Sequence, residues 1–264
     1  MFFMLHKAFL EIVKVSILFQ DNAMILSANN NWFHFGFIND NAPHYHYAIQ
    51  ITVSMQKEFI LHIENKSVTT SSILIKNNTE HHLESGKEIL IILVNPVSSF
   101  GYSLLQSLGN HDWIDFNPQW LTKLQQEFVK FSKHQISVQD LNQTCGKILS
   151  SMQNNLKNNQ VFPDKRILEA VRYLEQHPME IVPVEEIASV CKISEGRFLH
   201  LFKDNTGITY RRFQLWNKLM LAGKHLLSGM NLTDSAHAAG FADSAHLSRT
   251  FRETFGVSAK NILK

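Results

Sequence analysis

LTDSAHAAGFADSAHLSRTFRETFGVSAKNI, residues 232–262, decides how the C-terminal part of the chain folds. LTDSAHAA reads as a short helix, and Gly240-Phe241 as a tight turn. Asp243 then caps a second helix that turns Leu247 and Phe251 inward, four residues apart on one face. The same plan stands upstream. PVEEIASVCKI (183–193) supplies a short helix with Ile187 and Ala188 inward, and Ser194 caps the next, whose Phe198, Leu201 and Phe202 face a core. Between the copies, ITYRRFQLWNKLMLAGKHLL (208–227) forms a long amphipathic helix that joins them.

A short helix bracing a second one is the layout in which the second helix offers its outer face to the major groove. Two such units on a rigid spacer reach successive groove faces about 10 base pairs apart. The placing of Gly240, Phe241, His246, Arg249, Phe251, Phe255, Gly256 and Ser258 resembles the AraC/XylS family of regulators. FKDNTGITYRRF, residues 202–213, adds to the likeness, which runs from about Ile167 to Leu263. It implies a sequence-specific DNA-binding transcription regulator. Carried over by position, the DNA-contacting residues are Glu195, Gly196, Arg197, Leu199 and His200 in the first unit, and Ser244, Ala245, His246 and Arg249 in the second.

Arg249 is the strongest of these, because a guanidinium grips guanine O6/N7 or a phosphate. Its alternative is a helix-surface ion pair with Glu253. Arg197 is expected on phosphate or solvated, and His246 on a base or phosphate. Lys218 stands where the family has Arg in the spacer helix, and a structural pairing is expected of it. The first unit departs from the family pattern. Lys192 replaces a turn glycine, and a positive φ there costs ~1 kcal/mol. Leu199 has no hydrogen bond to offer a base, so this unit is expected to position rather than read. Ser235 and Ala259 replace an apolar core residue and a proline without threatening the fold.

Upstream the texture changes. YAIQITVSM, EFILHIEN, SVTTSSILIKN and KEILIILVN are rich in β-branched residues and broken by turns such as Asn77-Asn78 and Ser85-Gly86. Strands at that spacing suggest an antiparallel sandwich or barrel. From about Trp32 to Tyr102 the chain resembles the cupin-type β-barrel, which implies a small-effector site and a dimer contact. His44, His46 and Gln50 share one side of a strand, with His81 or His82 near them, and are the effector-pocket candidates. No resident cofactor is expected. Zn, Fe or Ni on His44, His46 and His82 is the weaker alternative, because Gln50 is neutral where metal-binding cupins carry an acid. Trp32, Phe33, Phe35 and Phe37 read as barrel core.

The expected fold class is α+β: an N-terminal cupin-like antiparallel β-barrel, a helical linker and an all-α C-terminal domain with two helix-turn-helix units. The expected divisions are an unassigned segment at 1–24, the effector-binding and dimerisation domain at 25–115, a helical dimerisation segment and linker at 116–162, and the DNA-binding domain at 163–264. In the third, Leu121, Leu124, Phe128 and Phe131, then Leu141, Cys145, Ile148 and Met152, step at helical spacing before an Asn-rich linker at 154–160. Pro163-Asp164 opens a helix with Ile167, Leu168, Val171 and Leu174 inward, which His177-Pro178 stops.

With 44% hydrophobic and 18% charged residues the chain can bury cores. From Asp164 onward 14 Lys and Arg face 11 Asp and Glu, a surplus that suits nucleic acid without requiring it. Cys145 and Cys191 make no disulfide framework and read as buried small hydrophobes, in keeping with a cytoplasmic protein. MFFMLHKAFLEIVKVSILFQ, residues 1–20, carries Lys7, Glu11 and Lys14 on one helical face, opposite Leu5, Phe9, Ile12 and Ile17. It reads as an amphipathic packing helix, or as an extension ahead of a start at Met24, and as a poor membrane span. The expected partners are double-stranded DNA, an unidentified effector, a second copy of the chain, and RNA polymerase if the protein activates. Two further readings stay open: a metal-dependent cupin enzyme fused to a DNA-binding domain, and a protein-interaction adaptor. No nucleophile–base pair, phosphate loop or cofactor fingerprint supports an enzyme.

Overall fold

The computed structural model describes residues 16–20, 23–28, 31–37, 41–56, 58–84, 88–137, 139–141, 143–147, 164–177 and 181–259. Among the described residues, ten strands make the N-terminal half: β1 Ser16–Gln20, β2 Ala23–Ala28, β3 Asn31–Phe37, β4 Ile49–Ser54, β5 Phe59–Ile63, β6 Lys66–Thr70, β7 Ser72–Ile75, β8 His81–Leu83, β9 Glu88–Val94 and β10 Trp113–Asp115. They form a seven-stranded sheet, β1-β2-β3-β9-β4-β7-β10, and a three-stranded sheet, β6-β5-β8. The expected antiparallel sandwich or cupin-like barrel is present as two antiparallel sheets.

Both faces of the large sheet are covered, which is why β9 is apolar along nearly its whole length. Leu90, Ile92 and Val94 join Phe33, Phe35, Ile51 and Val53 beneath helices α1 (Ser99–Leu108) and α2 (Gln119–Ser132). Leu141 and Cys145 close that core. Ile89 and Ile91 face the other way, against Phe59, Leu61, Ile63, Ile73 and Ile75. β4 alternates in step: Gln50, Thr52 and Ser54 pair with Leu93, Ile91 and Ile89. Its three polar side chains therefore point between the sheets.

Two expectations change here. Residues 16–20, the end of the stretch read as helix, form a strand paired with residues 23–28, so the sheet begins ahead of residue 25. The barrel likeness was carried to Tyr102, but Ser98 caps α1 and the chain is helical from Ser99. Residues 1–15, the Asn-rich linker, and Ile148 and Met152 lie outside the described residues.

Among the described residues, six helices build the C-terminal half: α3 Lys165–Gln176, α4 Val184–Val190, α5 Glu195–Thr206, α6 Tyr210–Leu227, α7 Leu232–Ala238 and α8 Ser244–Phe255. Asp164 caps α3, whose Ile167, Ala170, Val171 and Leu174 are buried. Each helix-turn-helix unit has its own core, and α6 serves both. Its Phe213 packs with Phe198 and Phe202, whereas Leu219, Ala222 and Leu226 pack with Leu247 and Phe251.

The halves meet along a seam. Tyr47 lies edge-on to Phe213 and Trp216, at 5.0 and 5.7 Å between ring centres. Its hydroxyl donates to Asn95, whose amide donates to Glu175 at 3.0 Å. Burial, with Lys224 and Asn95 opposing it, pushes the Glu175 carboxyl above the usual range.

Candidate DNA interface and histidine cluster

The two turns that present the recognition helices are built alike. Ile193 donates to Ala188 O at 3.1 Å, and Phe241 to Ala236 O at 2.9 Å. Lys192 donates to Ser189 O and Gly240 to His237 O, both at 3.0 Å. Both turns need a left-handed residue, at φ 55° for Lys192 and 74° for Gly240. The strain expected at Lys192 is therefore present, since its Cβ crowds the following carbonyl in that conformation.

Ser194 accepts from Arg197 N at 3.4 Å, and Asp243 from His246 N at 2.6 Å. The second bond is short and charge-assisted, and it holds the Asp243 carboxyl below the usual range. Beyond the caps, Glu195, Gly196, Arg197, Leu199 and His200 are exposed on α5, and Ala245, His246 and Arg249 on α8; Ser244 is half-buried. Phe198 and Leu247 point the opposite way, into their cores. The His246 ring stands edge-on to Phe241, 5.3 Å between centres, which restricts its sweep. Lys218 donates to Gly240 O at 3.2 Å, a structural pairing that ties α6 to the second turn.

α5 and α8 are both twelve residues long and end on left-handed glycines, Gly207 and Gly256. Aligned from their first residues, His200 matches Arg249 and Asp204 matches Glu253. In the first unit that pair is closed, with His200 Nδ1 2.8 Å from Asp204. In the second, Arg249 makes no ion pair among the described residues. The His200–Asp204 pair was missed in the sequence, though its i,i+4 spacing was a readable signal.

The histidines divide by strand parity. His44, His46, His81 and Gln50 are buried together, whereas His82 points outward and stacks on His62 at 4.5 Å. His82 therefore leaves the candidate pocket. A nitrogen from each of His44, His46 and His81 lies within 4.8 Å of the others, close enough to draw around one metal ion.

The hydrogen bonds of this cluster can be counted. Each Nδ1 donates to a backbone carbonyl: His44 to Ala42 at 2.9 Å, His46 to Ala48 at 2.9 Å and His81 to Thr79 at 2.8 Å. Burial lowers all three imidazoles from the usual histidine range, His44 to about 3 and His81 well below it. The Gln50 amide lies 3.0 Å from His46 Nε2 and 3.2 Å from His81 Nε2. Its Oε1 faces both rings, and its amide nitrogen donates to Thr52 Oγ1 at 3.0 Å. Gln50 is therefore a clasp between two imidazoles. On β3, His34 is half-buried; its Nε2 is shielded and has no hydrogen-bond partner among the described residues, and desolvation lowers its pKa to about 4.

Two small clefts open at the seam, on either side of Trp216. One, about 140 Å³, is bordered by Tyr45, Asn78, Arg212 and Glu253. The other, about 130 Å³, is bordered by Trp32, Asn95, Glu175 and Lys224. Arg212 spans the first, with its guanidinium 4.7 Å from the Tyr45 ring centre and donating to Asn78 at 3.3 Å. Sequence reading missed this contact, having taken Asn77-Asn78 only as a turn. Both cysteines are buried, and burial pushes the Cys145 thiol up to about 12. Among the described residues, no helix is long and apolar enough to cross a membrane.

Residues 187–264 match a family model described as a helix-turn-helix domain. The chain is 25% identical over 228 residues to LumQ of Photobacterium leiognathi, a probable transcriptional regulator, covering 81% of this chain and 89% of that one. It is 31% identical over 150 residues to RhaS of Enterobacter sp. (strain 638), an HTH-type transcriptional activator, covering 54% of this chain and 52% of that one. The match thus spans about half the length of RhaS. Among solved structures, ToxT from Vibrio cholerae aligns over 96% of this chain and 97% of its own, with a TM-score of 0.55 at 15% identity. A second ToxT structure, with unsaturated fatty acid bound, gives a TM-score of 0.54 at 14% identity over 95% of this chain and 94% of that one. At that identity the likeness carries the fold alone.

Proposed function

We propose that the protein is a DNA-binding transcription regulator of the AraC/XylS type whose N-terminal half takes a small effector. One observation carries the reading. Two recognition helices, each capped at its N-terminus, keep that end exposed while the opposite end rests on the N-terminal half. Arg249 supplies base or phosphate recognition, with His246 beside it, and Arg197 reaches phosphate. Ser244, Ala245, Glu195, Gly196 and Leu199 complete the two surfaces. Leu199, 43% exposed, suits only an apolar contact such as a thymine methyl.

RhaS is an HTH-type transcriptional activator; this chain is proposed to activate as well, as a cytoplasmic homodimer that contacts RNA polymerase. A ToxT structure holds an unsaturated fatty acid, and a small-effector role is proposed for the N-terminal half here. His44, His46, Gln50 and His81 form the polar part of that site. The seam clefts are small beside ligand pockets of roughly 300–1,000 Å³, so an effector that enters there must part the two halves. Such parting is a differential interaction by which a ligand shifts a conformational equilibrium. No enzymatic role is proposed, since the buried histidines hold carbonyls and Gln50 rather than a nucleophile.

Selection of bound fragments from genomic DNA by the purified protein tests the reading. The expected result is a site with two half-sites about 10 base pairs apart, and affinity that falls steeply with salt as phosphate counterions are released. Binding without salt dependence, or no enrichment over random fragments, would contradict it.

A further inference from the structure

Both recognition helices end on the same small patch of the N-terminal half. The α5 end is held through Asn77, whose amide donates to Thr206 O at 2.9 Å. The α8 end is held through the backbone, Ala42 N donating to Gly256 O at 2.9 Å. The approach is close at both ends. A Cβ on Gly207 would lie 2.3 Å from Asn77 Nδ2, and one on Gly256 2.5 Å from Ala42 O and 2.6 Å from His44 Nδ1.

The two contact segments are themselves stitched together. His44 and His81 exchange backbone hydrogen bonds at 3.1 and 3.0 Å, and Asn78 N donates to His46 O at 2.8 Å. Asn41 accepts from Leu83 N at 2.7 Å. Under this patch lie His44, His46, His81 and the Gln50 clasp.

We propose that this patch is a caliper: it fixes the placement of one recognition helix relative to the other, and the imidazole–amide network beneath it sets the opening. Helix α6 links the units along one side only, and the patch joins them at a second point, which converts a hinged pair into a braced one. The two jaws differ. Asn77 is a side chain that can swing, whereas Ala42 is main chain backed by the His44 ring. A rearrangement of Gln50 and its imidazoles is therefore passed to α8, the unit that carries Arg249, more directly than to α5. The inference rests on the DNA-binding reading and extends it to how the two helices are spaced.

The test uses the full-length protein and duplexes in which the two half-sites of its selected site are separated by about 10, 11 or 12 base pairs. The wild type is expected to prefer one separation at least tenfold. Gly256→Ala should collapse or shift that preference, and Asn77→Ala should relax it severalfold. Gln50→Leu, which removes the clasp but leaves both jaws, should also alter the ratio. Near-ultraviolet dichroism on each variant establishes that it is folded. Should Gly256→Ala misfold, Asn77→Ala and Gln50→Leu still decide the matter. Folded variants that keep the wild-type ratio overturn the caliper while leaving the DNA-binding reading intact. A wild type with no spacing preference overturns the caliper outright, and one with no salt-dependent DNA binding overturns both.

Discussion

The two helix-turn-helix units are built to one plan and finished differently. Their turns share backbone hydrogen bonds, and their recognition helices share length and a left-handed glycine at the end. Yet the first unit turns on a strained lysine, is capped at 3.4 Å, and has its central polar residue, His200, paired with Asp204. The second turns on glycine, is capped at 2.6 Å by a carboxylate, and leaves Arg249 without an ion pair among the described residues. The contrast supports the proposal that the second unit reads sequence and the first positions, within a shared scaffold.

The largest effects should come where the helices meet the N-terminal half. Gly256→Ala sets a Cβ against main chain in a left-handed conformation and should lower stability by about 3 kcal/mol in chemical denaturation. Gly207→Ala meets only the Asn77 side-chain amide rather than main chain and should cost about 1 kcal/mol. Equal losses would erase the proposed difference between a rigid and a compliant contact.

Next is DNA affinity at fixed salt. Arg249→Ala should weaken specific binding by about 2 kcal/mol and relax preference at one position, with His200→Ala costing under about 1 kcal/mol. The reverse order would exchange the roles of the two units. Equal loss on random DNA would make Arg249 a phosphate contact.

The turn residues offer a smaller, mirrored pair. Lys192→Gly should stabilise the protein by about 1 kcal/mol, and Gly240→Ala should destabilise it by a similar amount, both read from denaturation midpoints. If Lys192→Gly also weakens binding to every sequence alike and flattens the salt slope, the strained lysine serves as a phosphate anchor. The smallest change expected is from Asp204→Asn. It removes a negative charge from the first DNA-facing helix and releases His200, so titration should show severalfold tighter binding with little change in stability.

Local rules made the second unit almost fully readable in the sequence. Gly240, Asp243, Leu247 and Phe251 each have one conformational or packing preference, and all point to the same structure. Lys192 was readable too, as a residue whose φ had to be positive if the turn formed. The N-terminal strands were harder. SILFQ and AMILSA flank Asp21-Asn22, a turn-forming pair, but Lys7, Glu11 and Lys14 upstream share a helical face, and that period was extended too far. The choice between His81 and His82 depends on strand register, where a shift of one residue reverses every side chain. The seam was not legible at all, because Asn77, Ala42 and Gly256 acquire their roles only when distant segments meet.

The central claim is that the exposed N-terminal halves of α5 and α8 enter two grooves of one duplex. Base-resolved chemical footprinting of the full-length protein on its selected site, with Arg249→Ala alongside, tests it most directly. The account predicts protection of two successive major-groove faces about 10 base pairs apart, with Arg249→Ala losing base protection in one of them only. Protection confined to a single groove in the wild type, or lost from both together in the variant, would contradict it.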